Sequence, residues 1–202
     1  LSQEGMYVQG ASTIGIVCKD GVVLASEKRV SYGYMIMSKS GKKVFPITEN
    51  IGAACAGLVA DMQIMVREIA AYAKLYELDK GRPISVKSAA KMLASVLFQR
   101  RFSPYITQTI IGGIEEDGPI IYILDPLGSL IPDKYAAVGS GAEIALGVLE
   151  AEYKDGLSVE EAKELVIRTI KSAVARDATS GDGTDTLTIT KDGIKEETLL
   201  FK

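Results

Sequence analysis

Gly10-Ala11-Ser12-Thr13 is a cluster of small and hydroxylic residues at the head of an apolar run that continues to Cys18. Hydroxyls at the lip of a buried strand suit a nucleophile, but the residue directly after the glycine is alanine, which has no atom able to attack a carbonyl. Lys43 follows the turn Ser40-Gly41 and precedes Val44 and Phe45. Local context leaves it two places: a solvated lysine after a turn, or a lysine carried into the core beside the first strand. In the core it would raise the acidity of a nearby hydroxyl or take its proton, which requires a depressed pKa or carboxylates that hold it in place. The polar residues able to partner it are Glu27, Ser140, Asp177 and Ser180. They lie far apart in the chain, and spacing alone does not bring them together.

The chain contains no histidine. That excludes Ser-His-Asp and Cys-His machinery, His-ligated zinc and imidazole acid–base work, and leaves Lys, Asp, Glu, Tyr or a terminal amine as proton carriers. Cys18 and Cys55 sit inside apolar runs as small buried hydrophobes, and two isolated cysteines make neither a zinc site nor a disulfide framework, which suits a reducing compartment. GSGAEI, residues 139–144, follows a strand and opens a helix, but Ile144 stands where a dinucleotide loop needs its third glycine. Residues 40–43, SGKK, lack the Walker glycine because Ile36 is there, and GDGTD at 181–185 lacks calcium-loop spacing. No cofactor and no metal are therefore expected. The net charge of −3 carries no basic footprint for nucleic acid. The long segment from Leu58 is broken by Asp61, Gln63, Arg67 and Glu68, so no membrane span is expected. Residues 1–10 have neither the basic start nor the apolar core of a signal peptide, which points to the cytoplasm.

These residues must be positioned by the elements around them. Of 202 residues, 47% are hydrophobic, enough for one substantial core. Residues 12–18 and 22–26 read as strands joined by a tight turn at Lys19-Asp20-Gly21, and 34–37, 43–47 and 51–56 as further strands. Their apolar runs are nearly continuous, so the sheet must be covered on more than one side. Apolar residues then fall at 58, 59, 62, 65, 66, 69 and 73, the stripe of an amphipathic helix ending near Asp79-Lys80-Gly81. A second helix is expected after Pro83 with Ser85 as its cap. Strands return at 107–114, 119–124 and 135–138. One helix follows to about Tyr153, and another opens on a capping box from Ser158 to Glu161. After the polar turn at 176–185, a strand at 186–190 and a short terminal strand close the chain. The order of strands, two helices, strands, two helices, strands predicts four layers, helix–sheet–sheet–helix, in one α+β domain.

STIGIVCKDGVVLASEKR, SGKKVFPI, AACAGLVAD, QTIIGGI, AAVGSGA, VIRTIKSAVARDATSGD and DTLTIT occur in this order between about Gly10 and Thr190. Together they resemble a β subunit of the 20S proteasome, most like the archaeal kind. The resemblance implies the N-terminal nucleophile hydrolase fold, a four-layer α-β-β-α sandwich of two antiparallel sheets between helix layers. It also implies a precursor that cuts its own propeptide after a glycine and exposes a threonine as nucleophile. The free α-amine of that threonine titrates near pH 8 and acts in proton transfer without any histidine. By motif, Ala11 occupies the nucleophile position, Lys43 the lysine that lowers its pKa, and Glu27 the acidic partner of that lysine, where many members carry Asp. Ser140, Asp177 and Ser180 resemble the supporting hydroxyls and carboxylate. Gly57 resembles the oxyanion donor, through its backbone N–H, and Ser31 the residue that aligns the substrate strand. Val30, Phe45, Cys55 and Val59 resemble the lining of the specificity pocket. All four are apolar, which implies cleavage after hydrophobic residues.

The chain departs from the family at Ala11. Without a side-chain oxygen there, neither self-cleavage nor peptide hydrolysis can start. Ser12 and Thr13 follow the cleavage point and, by strand alternation, cannot both face the site. Residues 1–10 are then expected to be an uncleaved propeptide remnant and 11–202 the single domain. Because the other site residues are all kept, the expectation is an active subunit whose nucleophile was replaced. The alternatives are a naturally non-catalytic structural β subunit, or another hydrolase of the same fold that assembles without a separate α subunit. The partners implied are proteasome α subunits and other β subunits in stacked heptameric rings (α7β7β7α7), with an ATPase regulator that feeds unfolded protein.

Overall fold

Alternation of large apolar residues along the first two strands sets the layers. In a computed structural model, which describes residues 10–201, β1 (Thr13–Val17) and β2 (Gly21–Glu27) form a hairpin. Ile14, Ile16, Val23 and Ala25 face one side and Val22 and Leu24 the other, all fully buried. A sheet buried on both faces needs a second sheet on one and helices on the other.

The remaining elements supply both. β3 (Val30–Tyr32) and β4 (Met35–Ser38) form a separate small hairpin. β5 (Val44–Pro46), β6 (Ile51–Gly57), β7 (Thr107–Glu115), β8 (Gly118–Leu124) and β9 (Ile131–Asp133) make one five-stranded sheet in chain order. β10 (Tyr135–Val138), β11 (Gly183–Thr190) and β12 (Gly193–Leu200) join the first hairpin in the order β10-β1-β2-β11-β12. Every strand pairing in both sheets is antiparallel.

The helices cover the outer faces. α1 (Val59–Lys80) and α2 (Val86–Gln99) pack Met62, Met65, Ile69, Leu93 and Leu97 against Ala53, Cys55, Ile111 and Leu124 of the β5–β9 sheet. α3 (Ala142–Glu152) and α4 (Val159–Val174) pack Ala145, Leu149, Ala162, Leu165 and Ile170 against β1 and β2. Between the sheets, Val22, Leu24, Leu187 and Ile189 meet Ala54, Ile110 and Ile121. The layers are therefore helix, sheet, sheet, helix, as the order of elements predicts.

The local signals that start and stop the helices hold. The Ser85 side chain accepts from the Ser88 N–H at the start of α2. α4 has a complete capping box, with Ser158 Oγ accepting from Glu161 N–H and the Glu161 carboxylate accepting from Ser158 N–H. α1 ends on Gly81 in the left-handed region at φ 67°, a conformation glycine adopts without steric cost.

Two strand expectations need correction, and one strand, β9, is not among those expected. The single strand expected at 34–37 is one arm of the β3–β4 hairpin, and Tyr34, Met35 and Met37 are exposed, so no alternation marks it. β9 is three exposed residues beginning Ile131-Pro132, too short and polar in context to stand out. The terminal strand is not short but eight residues long, paired along the whole of β11; it lies mostly exposed on the edge of its sheet, so no burial pattern marks its extent.

Candidate active site

Ala11 lies directly ahead of β1, between β2 and β10, and is fully buried. Its carbonyl accepts from the Gly141 N–H at 3.2 Å, at the entry to α3. Its own N–H donates to Ser140 Oγ at 3.1 Å. The glycine-serine-glycine segment after β10 thus clamps residue 11 by its backbone.

Lys43, in the approach to β5, is carried into the core, and its side chain is only 2% exposed. An ammonium has three N–H donors, and three acceptors surround this one: the Glu27 carboxylate, the Arg29 carbonyl at 2.7 Å and the Gly10 carbonyl at 3.4 Å. Glu27, the last residue of β2, is equally buried. Its other oxygen accepts from Arg29 N–H at 2.7 Å and Gly181 N–H at 2.9 Å. Burial pushes the Glu27 carboxyl above its ordinary value, and Lys43 and the two backbone N–H groups work against that shift. Every polar atom of the pair is held, which is the condition under which a buried charge pair survives.

On the other side of residue 11, Asp177 organises a chain of hydroxyls. Ser140 Oγ donates to Asp177 at 2.5 Å, Ser180 Oγ at 2.6 Å and Thr179 Oγ1 at 2.6 Å, and Thr179 N–H donates at 3.0 Å. A hydroxyl has one proton. With Ser180 donating to Asp177, the 2.9 Å contact between Ser12 Oγ and Ser180 Oγ has Ser12 as donor. Burial alone would raise the Asp177 carboxyl; the three hydroxyls and the Thr179 N–H outweigh it and hold it below its ordinary range. The direction of the network fixes Ser140 as an acceptor toward the residue 11 nitrogen.

Gly57 ends β6 at φ 130°, and a Cβ there would stand 2.1 Å from the Ile106 carbonyl oxygen. The junction is held by Leu58 N–H to Ile106 O and Ile106 N–H to Asp61 Oδ2, both 2.7 Å. β6 is tied to the residue 11 strand two residues earlier, where Thr13 Oγ1 donates to the Cys55 carbonyl at 3.0 Å and meets Ser26 Oγ at 2.6 Å.

The structure thus brings Gly10, Ala11, Glu27, Lys43, Ser140, Asp177 and Ser180 into one neighbourhood. The other expected residues spread further. Ser31 is buried in β3, and its Oγ has no hydrogen-bond partner among the described residues. Phe45 and the fully buried Cys55 lie in the layer between the β5–β9 sheet and α1–α2, where burial pushes the Cys55 thiol up to about 12. Val30 in β3 and Val59 at the start of α1 are half-buried. A groove of about 1250 Å³ lies elsewhere, between α1 and the β11–β12 turn, with Thr48, Lys74 and Lys191 in its walls and none of the expected catalytic residues. Residues 1–9 of the expected propeptide remnant lie outside the described residues.

Sequence reasoning missed Arg29, Gly181 and Thr179. Arg29 and Gly181 act on Glu27 and Lys43 through backbone atoms, which residue type does not reveal. Arg29 also ties the 177–182 turn down, donating to Asp182 at 2.9 Å and to the Ala178 carbonyl at 3.0 Å. Thr179 carried a signal: a hydroxyl between Asp177 and Ser180 in the same short turn.

Among the described residues, no helix is long and apolar enough to cross a membrane, and no group of three or more His, Cys, Asp or Glu side chains is placed to hold a metal ion.

Two antiparallel sheets between helix pairs, with a strand-leading residue clamped beside a buried lysine, define an α+β sandwich of the N-terminal nucleophile hydrolase class. The profile of the family described as "Proteasome subunit" matches residues 7–189. The chain is 54% identical over 196 residues to "Proteasome subunit beta 2" of Caldivirga maquilingensis, covering 97% of this chain and 98% of that one. It is 51% identical to "Proteasome subunit beta 1" of Nitrosopumilus maritimus (96% and 97% covered) and 47% identical to "Proteasome subunit beta 2" of Pyrobaculum aerophilum (93% of each). The chain belongs to the proteasome subunit family, as a β subunit of the archaeal type and a component of the multi-subunit core particle. Members of this family are generally threonine peptidases.

Proposed function

We propose that this chain is the precursor form of a threonine endopeptidase subunit, stopped before self-cleavage by alanine at position 11. The observation that carries the reading is Lys43: its ammonium is held by Glu27 and reaches the carbonyl oxygen of Gly10, immediately before residue 11. A positive charge there favours an alkoxide at residue 11 and draws electrons from the Gly10 carbonyl.

With threonine at 11, the hydroxyl oxygen adds to the Gly10 carbonyl carbon. The Gly10–residue 11 C–N bond breaks, the proton lost by the hydroxyl ends on the residue 11 nitrogen, and an ester forms. Water then splits the ester, giving a Gly10 carboxylate, a free hydroxyl and a free α-amine. That amine, beside Ser140 and the Asp177 network, takes the hydroxyl proton when a peptide substrate is attacked. The Gly57 N–H serves as oxyanion donor, Ser31 aligns the substrate strand, and Val30, Phe45, Cys55 and Val59 line an apolar pocket that favours cleavage after hydrophobic residues. Residues 1–10 are the leader and 11–202 the mature domain.

The subunit works in the cytoplasm in stacked heptameric rings with α subunits, as α7β7β7α7, behind an ATPase regulator that delivers unfolded protein. Retention of the whole buried charge network supports replacement of the nucleophile in a working site. The second reading, a naturally non-catalytic structural subunit, rests on the full burial of Ala11.

The test is Ala11→Thr, coassembled with α subunits. Loss of residues 1–10 by mass and hydrolysis of a hydrophobic fluorogenic peptide are expected. A particle that assembles, keeps its leader and stays inert sinks the catalytic assignment. The codon for residue 11 in the parent gene separates the two readings.

A further inference from the structure

Residue 10 is where the chain would be cut, and its surroundings are not those expected of a residue before a cut in a peptide substrate. A Cβ built on Gly10 would stand 1.5 Å from Thr179 Oγ1, 2.2 Å from Thr179 Cβ and 2.8 Å from Ser140 Oγ. None of these three nearest atoms belongs to Val30, Phe45, Cys55 or Val59, the apolar residues assigned to the pocket. Thr179 cannot step aside. Its hydroxyl donates to Asp177 at 2.6 Å and its N–H donates to the same carboxylate at 3.0 Å. A χ1 rotation would move Oγ1 but leave Cβ in place, still well inside contact distance, so the backbone of the 177–180 turn or of the leader would have to shift.

We infer that Thr179 is the positioning residue that selects glycine before the self-cleavage bond, by filling the space a side chain on residue 10 would need. The inference rests on the proposed self-cleavage and deepens it. The same centre reads its two substrates differently. The leader is recognised by the absence of a side chain against Thr179, and a peptide arriving later is recognised by an apolar side chain in a separate pocket. A leader residue with a Cβ moves the scissile carbonyl away from Lys43 and residue 11, and a misplacement of about 1 Å is worth on the order of a hundredfold in rate.

The experiment compares four chains, each carrying Ala11→Thr and coassembled with α subunits: no further change, Gly10→Ala, Thr179→Gly, and both together. Thr179→Gly removes Oγ1 and Cβ and keeps the N–H to Asp177. Loss of the leader is timed by intact mass, and particle mass reports assembly. Gly10→Ala is expected to slow cleavage by about a hundredfold, and adding Thr179→Gly to recover roughly tenfold or more of that loss. A merely structural role for Thr179 would make the double variant worse than either single one. Gly10→Ala cleaving at the parent rate, or no recovery in the double, overturns the inference. Failure of Ala11→Thr alone to cleave overturns the catalytic reading instead. Should Gly10→Ala block assembly, the same pair in the present Ala11 chain is read by thermal midpoint: Gly10→Ala lowers it and Thr179→Gly restores part of it, and absence of that rescue overturns the inference there.

Discussion

Lys43, just ahead of β5, and Glu27, at the end of β2, form a buried ion pair beside Gly10, with side chains 2% and 0% exposed. The pair is arranged for position more than for stability. Its cost of desolvation is met only because Arg29 and Gly181 supply a carbonyl and two N–H groups around it. The charge this leaves beside Gly10 is what the proposed chemistry uses.

Breaking that pair from one side is therefore expected to be severe. Lys43→Met leaves the Glu27 carboxylate buried without its cation, at a cost of about 3–5 kcal/mol. Adding Glu27→Gln removes the orphaned charge and recovers part of the loss. Urea unfolding of both variants measures this; a double variant no more stable than Lys43→Met would mean the ion pair is not what holds the two strands.

Asp177 sets an acid limit. Its folded pKa lies below the ordinary 3.8. Above 3.8 the carboxylate is ionised in both folded and unfolded chains, and its stabilising contribution is complete. As the pH falls through 3.8 the unfolded chain binds the proton first, so that contribution shrinks, and it is gone below the folded value. Asp177→Asn is expected to be less stable at neutral pH and to show a flatter acid limb. Parallel limbs for the two chains in a pH series of urea midpoints would contradict this.

The Gly57 backbone admits no side chain. Gly57→Ala would put a Cβ against the Ile106 carbonyl at a φ of 130° and turn the N–H at the end of β6. In an Ala11→Thr particle the expected effect is a loss of about a hundredfold or more in kcat with a smaller change in KM. An unchanged kcat would remove Gly57 from the oxyanion role.

The α4 capping box offers a test away from the site. Ser158→Ala is expected to cost about 1 kcal/mol and Ser158→Gly only a few tenths. α4 covers β1 and β2, so the loss should appear in the global urea midpoint of the chain. Equal effects from alanine and glycine would indicate that the hydroxyl is not the capping group.

The local reading succeeded where a short stretch carries its own physics. Periodicity located α1 through Met62, Met65, Ile69 and Ala73, a serine just after Pro83 located the cap of α2, and hydroxyl–carboxylate spacing located that of α4. Continuous apolar runs in β1 and β2 required cover on both faces, from which four layers follow. It failed at the β3–β4 hairpin and β9, whose exposed residues carry no burial pattern.

By itself the sequence determined which chemistries were open: no histidine, and a candidate lysine, Lys43, with four scattered polar partners behind a glycine-alanine junction, on a four-layer scaffold. That information is local, because helix stripes, caps and strand alternation depend on neighbours a few residues away. Only the tertiary structure decided that Lys43 is buried and not solvated, that Glu27 meets it across 16 residues and that Ser140 meets residue 11 across 129. Only it shows that Arg29 and Gly181 contribute backbone atoms and that Thr179 fills the space beside Gly10. Contacts of that kind are set by how two sheets stack and where their loops converge, and the identity of a residue says nothing about which distant carbonyl will face it.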